Sequence, residues 1–156
     1  MGLSAALNWL IERQNQFSEL AITTDISSDI PRLNDKLEIS VFRIAQEAFT
    51  NIHKYSHADH VNFSCKVETG YLQLTIADNG VGFDIDAKLS RANQGQSLGL
   101  LSLKERAFSV NGLVDIHSTP ETGTKIELRA PIDVQVIVDG FEEETFEQKY
   151  DGVNDV

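Results

Sequence analysis

Between Asp59 and Asp78 two runs of alternating apolar and polar residues stand on either side of Thr69–Gly70. Val61, Phe63, Cys65 and Val67 fall on one face of the first run, and Leu72, Leu74 and Ile76 on one face of the second. This is the pattern of a β-hairpin with one face buried and the other in water. It leaves an apolar sheet face that something must cover. The segment before it supplies the cover. From Asp35 to Tyr55 the residues Leu37, Val41, Ile44, Ala45, Ala48, Phe49 and Ile52 recur at helical spacing, with Asn34 placed to cap the start.

Other elements follow the same logic. Leu3, Leu7, Leu10 and Ile11 share one face of a helix expected over Leu3–Phe17, and "LAITTDI" is a short strand. Leu98–Val110 reads as a helix closed by Asn111–Gly112. "LVDIHST" and "TKIELRAPI" are strands around the turn "PETG", while Asp84–Leu98 is polar, weakly periodic and expected to be a mobile loop. Beyond Pro131, "VQVIVDGF" is a further strand candidate and the acidic end is expected to be loosely ordered. Helices and mostly antiparallel strands are grouped rather than strictly alternating. The expected class is therefore α+β, a two-layer sandwich with a mixed, mostly antiparallel sheet packed on helices.

The chain has 156 residues, enough for one domain with a sizeable core. No apolar run approaches the ~18 residues of a membrane span, and the start lacks the cationic and apolar regions of a secretory signal. The lone Cys65 excludes an internal disulfide and a cysteine-rich zinc site, and its apolar strand position suggests a buried small hydrophobe. A cytosolic setting fits. The net charge of -11 argues against nucleic acid as a partner, because phosphate repels it; a single bound nucleotide is still allowed.

Three segments carry residues suited to phosphate chemistry. On the long helix, Glu47, Asn51 and Lys54 are four and three residues apart and share a face. An amide oxygen can ligate a hard cation, a lysine can meet phosphate, and a carboxylate can accept a proton. Taken alone, the three also suit a solvated polar face. In "ADNGVGFD" a strand ends at Asp78, where a carboxylate could accept from an amine, and Gly80 and Gly82 would let a ligand approach the backbone. A plain Asn-Gly turn explains the same residues. In "GQSLGLLSLKERA", Gly95 and Leu98–Gly99 precede a helix whose free N–H groups would suit phosphate, or the segment is a flexible loop before an ordinary capped helix. Of the histidines, His57 and His60 are three apart but make no closed metal site; His53 lies within the long helix, and His117 sits on a strand with no evident partner.

In this order the segments resemble the ATP-binding domain of bacterial sensor histidine kinases, in the Bergerat-fold (GHKL) superfamily. "QEAFTNIHKYSHA" resembles the N box, "DNGVGFD" the first glycine box, "GQSLGLLSLKERA" the second, and "STPETGT" the terminal Gly-Thr turn. The likeness runs from about Gly2 to Pro131 and is nearest to the nitrate-sensor and membrane-fluidity-sensor subfamily. It implies that Asp78 accepts from the adenine amine and that Gly80 and Gly82 shape the pocket floor. It implies Asn51 on Mg²⁺, Lys54 on a phosphate, and Glu47 helping to activate the attacking histidine. Amides around Leu98, Gly99 and Leu100 would cradle phosphate, Thr124 would line the adenine side, and Ile85–Ser97 would form the ATP lid. Ser97 and Ser102 stand where relatives often carry glycine, and Tyr55 where they carry histidine.

The implied organisation is a residual segment over 1–20, the ATP-binding domain over 21–132, and an acidic tail over 133–156. No histidine lies in an "HD" or "HE" helix motif. The chain is thus expected to be an excised catalytic domain, monomeric by itself and unable to phosphorylate itself. Its phosphoacceptor hairpin, sensor and any membrane anchor would lie upstream in a homodimer, with a response regulator downstream. Two competing functions share the fold: a nucleotide-binding interaction module without phosphotransfer, and an ATP-hydrolysing clamp, for which the chain is too short.

Overall fold

The computed structural model describes residues 1–89 and 95–132, without the side chains of residues 88, 89 and 95–98. Helices α1 (Leu3–Phe17), α2 (Asp35–Asn51), α3 (Ile85–Leu89) and α4 (Gly95–Phe108) accompany strands β1 (Ala21–Ile26), β2 (His60–Glu68), β3 (Tyr71–Asp78), β4 (Leu113–Ser118) and β5 (Thr124–Pro131). The strands form one sheet in the order β1-β2-β3-β5-β4. β1 runs parallel to β2, with α2 as the connection, and the remaining pairs are antiparallel. This is the mixed, mostly antiparallel α+β architecture expected.

The sheet obeys the alternation. Phe63, Cys65, Leu72, Leu74, Ile76, Ile126 and Leu128 are all buried on the face that meets the helices. Glu68 pairs with Tyr71 across a two-residue turn, in which Thr69 and Gly70 both take positive φ (50° and 82°). That geometry matches the twist of a hairpin, and it fixes the register that puts both apolar sets on one side. Every residue of the expected α2 stripe, from Leu37 to Ile52, is buried, and Phe49 stacks on Phe63 with ring centroids 6.0 Å apart. Asn34 caps α2, its Oδ1 accepting from the Leu37 N–H at 2.9 Å. Glu38 reaches back to accept from the Leu33 N–H at 3.1 Å, satisfying a second donor near the helix start. α1 buries Leu3, Leu7, Leu10 and Ile11 against α2 and β1, so the first segment is part of this core.

Three boundaries differ from expectation. The long helix ends as α-helix at Asn51 and continues to Ser56 as a wider π turn; Ser56 Oγ donates to the Ile52 carbonyl at 2.8 Å, and His57 then turns left-handed (φ 52°). Periodicity cannot separate these two helix types over five residues. The stretch expected to be loop, Asp84–Leu98, contains α3, whose first turn is held by the Ala87 N–H donating to Asp84 Oδ1 at 3.1 Å. α4 begins at Gly95, three residues ahead of the expected start, because its polar opening residues hid the helical period. At its other end the Gly112 N–H donates to the Ala107 carbonyl and the Asn111 N–H to that of Phe108, with Asn111 left-handed (φ 58°). This is a Schellman closure in which asparagine takes the strained position. The strand candidate beyond Pro131 and the acidic end lie outside the described residues.

Candidate functional site

A cleft opens where the end of α2 and its π turn approach β3, β5 and α4. Asn51, Tyr55, Asp78, Leu100 and Thr124 line it, and Ile52, Ile76, Phe83 and Ile126 make its walls apolar. It measures about 430 Å³ counted to its open mouth, yet only about 20 Å³ is open to water, room for about one molecule.

At the deep end lies Asp78, the last residue of β3. Its Oδ1 accepts from the Gly80 N–H at 2.8 Å. Burial pushes its pKa above the ordinary carboxylate value, and the backbone N–H groups of Gly80 and Thr124 offset part of that rise. An ionised carboxylate in an apolar pocket with spare acceptor capacity is suited to a neutral N–H donor such as an exocyclic amine. Thr124 pairs with Asp78 across the β3–β5 ladder, and its Oγ1 lies 2.9 Å from Ser118 Oγ.

The glycines are positioned by packing as much as by any ligand. A methyl group on Gly80 would collide with the Ser56 carbonyl, which accepts from the Val81 N–H at 2.8 Å. Gly82 (φ 62°) presses on the Thr119 carbonyl and Gly123 (φ 78°) on the Asp78 carbonyl. The loop 79–83 is therefore clamped between the π turn and the β4–β5 turn. Asn79 fixes its start: Oδ1 accepts from the Asp59 and His60 N–H groups (3.1 and 3.0 Å), and Nδ2 donates to Asp59 Oδ1 (2.6 Å). The Asn-Gly turn and the ligand-floor readings thus describe the same residues.

Glu47, which does not itself line the cleft, comes together with the cleft residue Asn51 beneath Gly99. A methyl group on Gly99 would lie 2.6 Å from Glu47 Oε1 and 3.1 Å from Asn51 Oδ1, so the start of α4 rests directly on both side chains. Asn51 Nδ2 is buried and has no hydrogen-bond partner among the described residues. An unpaired buried amide is costly, and it marks the place where a polar ligand would be welcome. With α4 starting at Gly95, its free N–H groups belong to residues 95–97, and those of Leu98, Gly99 and Leu100 fall inside the helical ladder. None of the expected phosphate-cradling amides, Leu98, Gly99 and Leu100, is free in this conformation. Gly95 opens the helix. Lys54 is exposed on the π turn and does not line the cleft, because the wider turn alters the angular phase that α-helical spacing assumes.

A divalent ion would find a partial site. Among the described residues no group of three or more His, Cys, Asp or Glu is placed to hold a metal. One amide oxygen at Asn51 fits Mg²⁺, which is commonly held by few protein oxygens and completed by phosphates and water. The histidines serve elsewhere: His53 Nε2 lies 2.6 Å from Gln14 Oε1, and His117 pairs with Glu127 at 3.2 Å.

The apolar walls escaped the sequence reading as site residues. Ile52, Ile76 and Ile126 have the periodicity of core positions, and only the gap between sheet and α4 distinguishes a wall from a core. Phe83 had a weak signal in its place after the second glycine.

The model of the family of histidine kinase-, DNA gyrase B- and HSP90-like ATPases matches residues 36–134. The sensor protein VraS of Staphylococcus haemolyticus is 40% identical over 96 residues, 62% of this chain and 26% of that protein. The chain therefore spans about a quarter of that relative's length. Among solved structures, the histidine kinase domain of the Erythrobacter litoralis EL346 blue-light activated histidine kinase superposes with a TM-score of 0.68 at 19% identity, covering 85% of this chain and 62% of that one. Full-length ShkA in complex with AMPPNP superposes with a TM-score of 0.70 at 21% identity, covering 86% of this chain and 31% of that one. The matched segment holds every polar residue that lines the cleft, from Asn51 through Asp78 to Thr124, and the chain belongs to the histidine kinase-, DNA gyrase B- and HSP90-like ATPase family.

Proposed function

We propose that this domain binds Mg-ATP and transfers the γ-phosphate to a histidine on a separate helical domain of a sensor histidine kinase. The observation that carries this reading is the pairing of two ends of one cleft. A desolvated carboxylate, Asp78, sits among apolar walls at one end, and an unpartnered amide, Asn51, lies beside a carboxylate, Glu47, at the other.

In this reading adenine enters between Ile52, Ile76, Phe83 and Ile126, and Asp78 accepts from its exocyclic amine. Thr124, held by Ser118, closes the adenine side, and Gly82 keeps the loop against the base. Asn51 Oδ1 would hold Mg²⁺, which would neutralise phosphate charge. Lys54 swings in from solvent to a phosphate. The N–H groups at the start of α4, from Gly95 to Leu100, reach the phosphates once its first turn is released. Glu47 accepts a proton from the attacking imidazole as the nitrogen–phosphorus bond forms and the bond from γ-phosphorus to ADP breaks. Catalysis is then mainly positioning and charge neutralisation.

The cleft admits about one water as it stands, so in this reading nucleotide entry displaces Leu100, which lines it. Segment 85–97, of which residues 90–94 lie outside the described residues, would be the ATP lid. The finer assignments form part of the same proposal: the nitrate-sensor and membrane-fluidity-sensor subfamily, a domain over 21–132 preceded by a segment joined to the phosphoacceptor hairpin and followed by an acidic tail, a homodimeric and membrane-anchored whole protein, and a response regulator as final acceptor.

Calorimetric titration with AMPPNP and Mg²⁺ tests the site, beside Asp78→Asn and Asn51→Ala. Strong weakening in the first variant and lost magnesium dependence in the second are expected. Phosphate transfer from labelled ATP to a supplied phosphoacceptor hairpin tests the reaction. Tight binding without transfer would leave a nucleotide-responsive interaction module in its place.

A further inference from the structure

The outer surface of α1 and α2 carries a groove that the nucleotide site does not use. Trp9, Ile39 and Phe42 form its apolar bed, and it opens about 660 Å³ from Arg32 to Gln46. A second depression continues it past Trp9 toward His53. Trp9 is 45% exposed and Ile39 60%, a large apolar area to leave in water on one face. The flanks are cationic. The Arg13 guanidinium lies over Trp9 at 5.0 Å and over Phe17 at 5.4 Å. Among the described residues Arg43 donates to Gln46 Oε1, at 3.1 Å. Arg32 is paired with Asp35 and Glu38, so Arg13 and Arg43 are the groove arginines without a carboxylate among the described residues.

The same chain holds a segment of matching chemistry. Residues 133–156 contain eight acidic residues against Lys149 alone, with Phe141, Phe146 and Tyr150 set among the acids. The described chain ends beside the groove. The Ile132 N–H donates to the Gly70 carbonyl at 3.0 Å, and Pro131 shares a small cleft with Asn34, Lys36 and Leu37 in the first turn of α2. The groove starts in that same turn, at Asp35. From there to His53 is roughly 27 Å along the helix. The segment spans up to roughly 80 Å when extended, so it reaches the whole groove.

We propose that residues 133–156 dock in the α1–α2 groove, with their aromatic side chains on Trp9, Ile39 and Phe42 and their carboxylates against Arg13 and Arg43. Tethering favours this occupant, since a linked segment binds at an effective concentration that a free partner rarely reaches. A second copy would instead bring another chain of net charge -11 against this one.

Trp9 is the sole tryptophan, so its emission reports the groove directly. Emission maximum and acrylamide quenching would be measured on the full chain, on Phe141→Ser/Phe146→Ser/Tyr150→Ser, and on Arg13→Glu/Arg43→Glu, with circular dichroism as a folding control. Docking predicts shielded, blue-shifted emission in the unaltered chain at all protein concentrations. It predicts a red shift and lost shielding in the triple variant, and in the charge-reversed one. Two outcomes would overturn it. One is free quenching of Trp9 in the unaltered chain. The other is shielding that survives the tail substitutions or appears only as the protein self-associates in sedimentation.

Discussion

Asp78 does two opposed things, and pH separates them. Its folded-state pKa lies above the ordinary carboxylate value because burial disfavours the charge. The folded state therefore holds this proton more tightly than the unfolded chain does. The contribution to stability is greatest in acid and is lost as pH rises from the ordinary value through the raised one. Nucleotide binding runs the other way, since accepting from an amine requires the carboxylate. Affinity is expected to fall on acidification at a pH above the ordinary aspartate range. Calorimetry across pH would show this limb in the unaltered protein and not in Asp78→Asn. Gly123 gives a second prediction at this scale. Its positive φ and its contact with the Asp78 carbonyl leave no room for Cβ, so Gly123→Ala should cost about 1–3 kcal/mol in denaturant unfolding. It should also weaken nucleotide binding, because the backbone that must yield is that of Asp78.

Elements matter through their ends. α2 is set by Asn34, and Asn34→Ala is expected to cost about 1 kcal/mol of unfolding free energy by removing the acceptor for the Leu37 N–H. The α2 stripe would remain, so the change should lower the unfolding midpoint without abolishing the fold. α4 is the element that function would have to change. Its first turn rests on Glu47 and Asn51, where phosphate and cation would go. Hydrogen exchange is expected to show the Gly99 and Leu100 amides losing helical protection when Mg-AMPPNP binds. Unchanged protection alongside tight binding would exclude release of this turn. The bounds of α4 and the π turn were poorly legible in the sequence for one reason: both start or finish among polar residues, where hydrophobic period is silent and backbone packing decides.

On the scale of the whole molecule, one core links both layers. Cys65 lies in it with no exposed surface, and burial pushes its thiol up to about 12. At pH 8 the native protein should resist thiol reagents, and labelling of this single cysteine should track global unfolding. Rapid labelling of the native state would mean that the sheet opens locally at β2. Charge is organised on this scale too. The segment 133–156 carries much of the acidic excess, while the outer face of α1 and α2 presents arginines without a carboxylate partner among the described residues.

The hairpin, the helix that covers it and their buried faces were determined by the sequence alone. Alternation around Thr69–Gly70 specified the hairpin and its buried side, and the stripe from Leu37 to Ile52 specified the helix that covers it, because both signals are periodic and local. Asn51, Glu47 and Asp78 were legible as candidates because few residue types suit phosphate, cation and amine chemistry, and they occur in a distinctive order. Tertiary structure decided the rest. It set Gly99 against Glu47 and Asn51, left the Asn51 amide without a partner among the described residues, turned Lys54 outward on a π turn, and made Ile52, Ile76 and Ile126 walls instead of plain core. These outcomes depend on distances between segments far apart in the chain, and no local pattern encodes such a distance.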